Sequence, residues 1–342
     1  MRDIKVKLKL KMTAVVGLVS LFSACKSLVL TRVYNGHSSN GNHARGLSVK
    51  DSNLLISGKG GVLSIFDLNQ LAVVDTIVLP ASDFRGVQVG NQNTVLLMNS
   101  GQDGLVYRLA VNNAEADTVL FMKDAFFDAI QINSYGTGFI FGDPINERLT
   151  MFKTNDFGQT WQQIAVNVQP LYKEAAFAAS NTNIAIQDQT VFIGTGGANT
   201  ARLLKSEDMG STWNAMNTPV KSGDTYGIYS INFWSPKRGI IAGGSYVDKT
   251  YNDSIVFYTG NGGKSWQNRS VGLPGYISCV TSGKAGKLIV ATGRLGAYYT
   301  VNKGKSWELL TEQPFYSVVI TNDLICLSGQ DGTLAIFQVS PM

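Results

Sequence analysis

Ser206-Glu-Asp-Met-Gly-Ser-Thr-Trp213 is one of four versions of a single phrase, the others being Thr154-Asn-Asp-Phe-Gly-Gln-Thr-Trp161, Thr259-Gly-Asn-Gly-Gly-Lys-Ser-Trp266 and Thr300-Val-Asn-Lys-Gly-Lys-Ser-Trp307. Four of the five tryptophans of the chain close this phrase, so its repetition says more about architecture than about chemistry. Each position has a physical role. The Asp or Asn side chain folds back onto backbone N–H groups of a tight turn, and the Gly supplies a positive φ. The Ser or Thr and the Trp then open a returning strand whose indole packs against its neighbours. Asp156, Trp161, Asp208, Trp213, Asn261, Trp266, Asn302 and Trp307 are accordingly read as structural.

Outside the first 24 residues there is almost no helical periodicity. Short Val, Ile, Leu, Phe and Tyr runs alternate with Gly, Asn, Asp and Ser clusters, the pattern of an all-β domain of many short strands. The pattern S/T-x-D-x-G-x-T-W resembles the Asp-box (BNR) repeat of β-propellers, found in sialidases, in sortilin-type receptors and in photosystem II assembly factors. Residues 25–342 divided among seven units give about 45 residues each, within the range of propeller blades. Inner strands are expected to start near Gly46, Gly86, Ala129, Ala175, Ser230, Ser278 and Ser317. The last unit, from Phe315 to Val339, has room for three strands, and a spare apolar strand, Leu28 to Tyr34, precedes the first unit. Pairing the two closes the ring and removes two sheet edges. The expected fold is an all-β, seven-bladed β-propeller, closed by its N-terminal strand in the last blade.

Residues 1–24 read as an export signal. Arg2, Lys5, Lys7, Lys9 and Lys11 precede an apolar run from Thr13 to Ala24 that is too short for a permanent membrane span. Ser23 and Ala24 before Cys25 resemble a bacterial lipobox, which implies a lipid on Cys25 and a membrane-anchored, periplasm-facing or surface-displayed protein. Of 29 basic and 24 acidic residues, five and one fall in this leader, so the rest carries 24 and 23. That near-neutral balance and the lack of any nucleic-acid signature argue against DNA or RNA as partner. Cys279 and Cys326 each sit in an apolar strand-like run and are read as free buried thiols.

Further phrases carry a closer resemblance: Phe126-Phe-Asp-Ala-Ile130, Gly138-Phe-Ile-Phe-Gly-Asp-Pro144, Glu174-Ala-Ala-Phe-Ala-Ala-Ser180 and Gly227-Ile-Tyr-Ser-Ile-Asn-Phe233. Together they are similar to exported bacterial propellers of the photosystem II assembly factor-like group, often labelled "oxidoreductase". The chain has no strand-Gly-x-Gly-x-x-Gly-helix unit to hold a dinucleotide, and no cofactor is expected.

On the face opposite the Asp boxes, residues preceding the inner strands include Arg45, Arg85, Asp128, Glu174, Tyr229, Tyr276 and Tyr316. Loops after second strands add Asp143, Arg202, Tyr246 and Arg294. Arginine offers planar paired donors and tyrosine a rigid amphipathic wall, a set suited to an anionic or sugar-like ligand. The competing reading is a ring of internal salt bridges. His37 and His43 fall in a Ser-, Asn- and Gly-rich stretch read as a solvated loop, and no metal site is expected. The long Ser245–Asp253 connection is a candidate lid or binding finger. The functional expectation is a monomeric envelope scaffold or assembly factor recognising a protein or glycan. The alternative is a sialidase-like glycan hydrolase using funnel carboxylates, Tyr and Arg.

Overall fold

Inner strands of a radial array converge on its axis, so their residues must be small or must turn out of the strand plane, and that constraint organises this molecule. The computed structural model describes residues 28–38, 43–81, 83–91 and 93–341. The expected export signal and Cys25 lie outside the described residues. Seven four-stranded antiparallel sheets form the ring of a seven-bladed propeller. Blades 1 to 6 span residues 44–78, 84–122, 127–163, 184–217, 226–268 and 279–311, each in simple up-and-down order. Blade 7 takes its three inner strands from residues 317–341 and its outermost strand, Leu28–His37, from the other end of the chain. That strand pairs from Leu28 opposite Pro341 to His37 opposite Thr333, with a bulge between Arg32 and Tyr34, so closure by the N-terminal segment holds.

Strand alternation leaves each sheet apolar on both faces, and only a neighbouring blade can cover those faces. Seven of the eight buried clusters among the described residues accordingly fill the gaps between adjacent blades, one in each, and the eighth lies on the axis around Ala179, Tyr229 and Tyr276. Cys279 lies in the gap between blades 6 and 7, and Cys326 in the gap between 7 and 1. Both thiols are buried and free.

The Asp boxes work as the sequence implies. Thr154 Oγ1 accepts from the Asp156 and Gly158 amides, while Asp156 accepts from the Thr160 amide at 3.0 Å and the Thr160 hydroxyl at 2.6 Å. Ser206, Asp208 and Thr212 repeat the set, and Asn261 and Asn302 donate to Ser265 and Ser306 instead. Each Trp packs into the gap toward the preceding blade: Trp213 of blade 4 meets Phe139 of blade 3 edge-on at 6.2 Å. The Gly of the phrase is fixed twice over. Gly210 has φ +87°, and a Cβ there would stand 2.6 Å from Cε1 of Phe139. In register, Gly138 pairs with Thr154 at one end of blade 3 while Phe127 pairs with Gly142 at the other. The Asp-box turns therefore occupy the face opposite the starts of the inner strands.

One expected boundary is corrected. The inner strand of blade 4 begins at Ile184, not near Ala175, because residues 175–182 leave the blade and run through the centre of the ring. Arg45 of blade 1 and Arg85 of blade 2 donate to the Ala179 and Ala178 carbonyls, at 3.3 and 3.1 Å. The Asn181 side chain accepts from the Ile130 amide of blade 3, Ser180 donates to the Ser278 carbonyl beside blade 6, and Thr182 donates to Ser230 of blade 5. A segment bonded to five other blades can only lie on the axis, and its alanines let it pass there.

Replacing Gly210 by Ala should cost about 2 kcal/mol or more, through a strained positive φ and overlap with Phe139. Thermal denaturation should show a drop of several degrees, whereas Gly260→Ala, where the nearest atoms are 3.5 Å away, should melt like the parent. Hydrogen bonds from the Thr212 side chain, then from its amide and from Ser206, hold the Asp208 carboxyl down at about 2. A depressed folded value stabilises above the unfolded value and is lost below it. The stability deficit of Asp208→Ala should thus be full above about pH 4 and vanish as pH falls through about 2.

Candidate functional site

A backbone bulge puts one residue out of register and swings its side chain away from the sheet. Four inner strands carry such a bulge at the same end: between Ala44 and Gly46, Phe84 and Gly86, Phe127 and Ala129, and Ile228 and Ser230. The residues so displaced are Arg45, Arg85, Asp128 and Tyr229, and all four line a common cavity of about 330 Å³ on the axis. The small residue after each bulge is required by crowding. A Cβ on Gly86 would come within 2.7 Å of Ile130 in blade 3, and Ser278 and Ser317 use their hydroxyls to bond the next inner strand, at Tyr316 and Arg45.

Tyr276, Tyr316, Tyr246 and Arg294 complete the wall, and Ala176–Ala179 of the crossing segment form the floor. Phe177 stacks on Tyr229 at 4.1 Å, and Tyr276 meets Tyr229 edge-on at 4.8 Å. Arg45 lies over the Tyr316 ring at 4.3 Å. His43, expected in a solvated loop, instead abuts Tyr316 edge-on at 5.9 Å. The Ser245–Asp253 connection contributes Tyr246 and is clamped rather than free: Tyr226 donates to Asp248 at 2.6 Å, the Tyr276 amide bonds the Lys249 carbonyl, and the Lys221 ammonium lies 3.8 Å from the Tyr251 ring centre.

Charge on this cavity is unevenly matched. Arg85 pairs with Asp83 at 2.8 Å, but Arg45 and Arg294 have no ion pair among the described residues. Burial and then the neighbouring Arg85 charge push the Arg45 guanidinium below its usual value. Two tyrosines, Tyr229 and Tyr276, are held neutral well above the usual phenol range, chiefly by burial.

Glu174 and Arg202 are the correction to the candidate list. They do not face the cavity. Arg202 Nε donates to Glu174 at 2.9 Å, a second guanidinium nitrogen bonds the other carboxylate oxygen, and Thr195 and the Leu171 amide fill the remaining acceptor sites. The pair is buried and saturated, and it anchors the segment that leads into the axis. Asp143 is also displaced from the candidate set: it stands behind Asp128 and faces a separate outer cleft with Tyr172 and Lys173.

Asp128 is the most unusual group in the molecule. It is fully buried, and neither of its oxygens meets a well-aligned donor. Its neighbours are the Asp143 carboxyl, the Ala178 amide and the Arg85 charge. Two adjoining carboxyls poorly reached by solvent satisfy one another only when one carries a proton. Burial, then the Asp143 charge, push Asp128 well above the usual carboxylate range against the opposing pull of Arg85, and burial raises Asp143 to about 6.

Phe126, Phe177 and the axial floor were absent from the sequence-derived set, although Phe126-Phe-Asp-Ala-Ile130 and Glu174-Ala-Ala-Phe-Ala-Ala-Ser180 stood out as phrases. Four alanines around one Phe, in a blade otherwise rich in β-branched residues, were the available signal. No family model matches this chain, and no curated protein matches it.

Breaking the buried pair by Arg202→Met should destabilise by about 3–5 kcal/mol, since it strands the Glu174 charge. The double change Glu174→Leu with Arg202→Met should recover much of that loss in chemical denaturation. For the carboxyl pair the sign is opposite to that of Asp208. Raised folded values mean that protons bind the folded state more tightly, so this contribution is full below about pH 4 and lost as pH rises through about 6. Asp128→Asn should therefore melt higher than the parent at pH 7.5, with the difference closing at pH 4.

Proposed function

We propose that this chain is an exported propeller, anchored by a lipid on Cys25, that works by binding: a scaffold or assembly factor in the cell envelope whose axial cavity receives an anionic group of a protein or glycan. The observation that carries this reading is the pair of guanidiniums, Arg45 and Arg294, with no carboxylate partner among the described residues, on a cavity walled by tyrosines. Arginine beside aromatic faces with no carboxylate partner keeps most of its donors available for recognition. A salt-bridge ring, the alternative reading of the same residues, would have engaged them. The cavity volume lies near the lower end for small-molecule sites, which suits a single side chain, terminus or sugar unit.

The resemblance to Asp-box propellers of the photosystem II assembly factor-like group supports the scaffold role. The hydrolase alternative has less support. A sialidase-like site pairs a Tyr nucleophile with a Glu and uses an Asp as acid/base, and here Glu174 is consumed by Arg202 while Asp128 is buried against Asp143.

A photoreactive residue placed at Tyr246, on the cavity rim, should yield crosslinks in intact envelopes, and the same group at Ser211, on the Asp-box face, should not. Crosslinks from position 211 alone would contradict the proposed binding face. Release of reducing sugar ends from envelope glycans by the parent chain, abolished in Asp128→Asn, would favour the hydrolase instead.

A further inference from the structure

The bulge at Asp128 projects a fully buried carboxyl, without an aligned donor, onto a cavity that also presents arginines. Asp128 and a bound anion would draw on the same positive charge. If the pair shared with Asp143 is fully protonated, the arginines are available to the ligand. If Asp128 ionises, it becomes an internal competitor beside Arg85 and repels the incoming anion at short range in a poorly solvated site. We propose that the axial cavity takes up its anionic ligand together with a proton held on the Asp128–Asp143 carboxyl pair, so that affinity falls as the pair ionises. This rests on the anion-binding reading of the cavity given above.

The groups facing the pair support the assignment. From blade 2, Arg85 is the one charged group directed at Asp128, and its Nε is already committed to Asp83. The second strand of blade 3 supplies Asp143. The remaining strands packed on the Asp128 strand, Thr94–Asn99 and Ile184–Gln187, carry no ionisable side chain. From the axis come the amides of Ala176 and Ala178, which favour the anions but are outweighed by burial. Arg45, Arg294 and the tyrosines, of which Tyr229 and Tyr276 stay neutral in this range, stand across the cavity. Carboxyl protonation is thus the charge change built into this face, and the His43 imidazole lies apart from it against the Tyr316 ring.

Benzenesulfonate is a suitable probe, because the sulfonate stays anionic throughout and its ring fits a tyrosine-walled cavity. Calorimetric titration at pH 5, 6, 7 and 8, in two cationic buffers of different ionisation enthalpy, should show uptake of up to one proton per probe. Affinity should fall with a limiting slope of about tenfold per pH unit. Asp128→Asn should bind with a flat pH profile and no proton uptake; if that variant folds poorly, Asp143→Asn, which removes a charge that helps hold the proton on Asp128, should keep the proton uptake and move the fall in affinity to lower pH. Binding that is independent of pH would overturn the proton coupling while leaving the anion site standing. No binding at any pH would overturn both. A slope that survives unchanged in folded Asp128→Asn would move the effect to another group and refute the assignment.

Discussion

Every sheet of this ring buries both faces, and it can do so only against another sheet. A single blade of some 45 residues has no core of its own, and the seven apolar clusters lie between blades rather than within them. Stability is therefore a property of the closed ring. The strand Leu28–His37 matters for this reason: it completes blade 7 from the far end of the chain and ties the first and last blades together without a covalent link. The Asp boxes serve the same demand from outside. Their hydrogen-bonded turns hold each Trp and Gly against the preceding blade, so local turn chemistry and inter-blade packing are one interaction.

Convergence of the inner strands creates the complementary problem at the axis. Small residues at Gly46, Gly86, Ala129 and Ser230 relieve the crowding, and the bulge before each turns a cavity-lining side chain inward. Residue size and site geometry are thus set by one steric limit. The void that would remain is occupied by residues 175–182, whose carbonyls take up part of the Arg45 and Arg85 hydrogen-bonding capacity. The result is a tyrosine-walled cavity over a floor supplied by the segment that leads into blade 4.

Electrostatics divides the polar groups into two kinds. Glu174 and Arg202 are buried and fully satisfied, which makes them structural whatever their position in the chain suggests. Asp128 is buried and under-satisfied, the half-buried Asp143 beside it leaves one oxygen unpaired, and Arg45 is half-buried beside another cation. Groups held in unfavourable electrostatic states persist where the surrounding fold over-determines them, and such states cluster where something binds.

Turn chemistry and strand rhythm were legible in the sequence because they depend on residues close together in the chain: the four Trp phrases, the blade spacing, the spare N-terminal strand and the two unpaired thiols all follow from local pattern and count. Arg45, Arg85, Asp128 and Tyr229 could be placed at the axis by the same rhythm, each standing just before a small residue. The path of Ala175 to Thr182 was not legible, since an apolar run of strand length is locally indistinguishable from an inner strand, and only the space left by the other blades diverts it. Nor could sequence show that Glu174 is saturated by Arg202 while Asp128 is packed against another acid. Partner choice among charges is decided by distances of a few ångströms between segments tens of residues apart, and those exist only once the ring has closed.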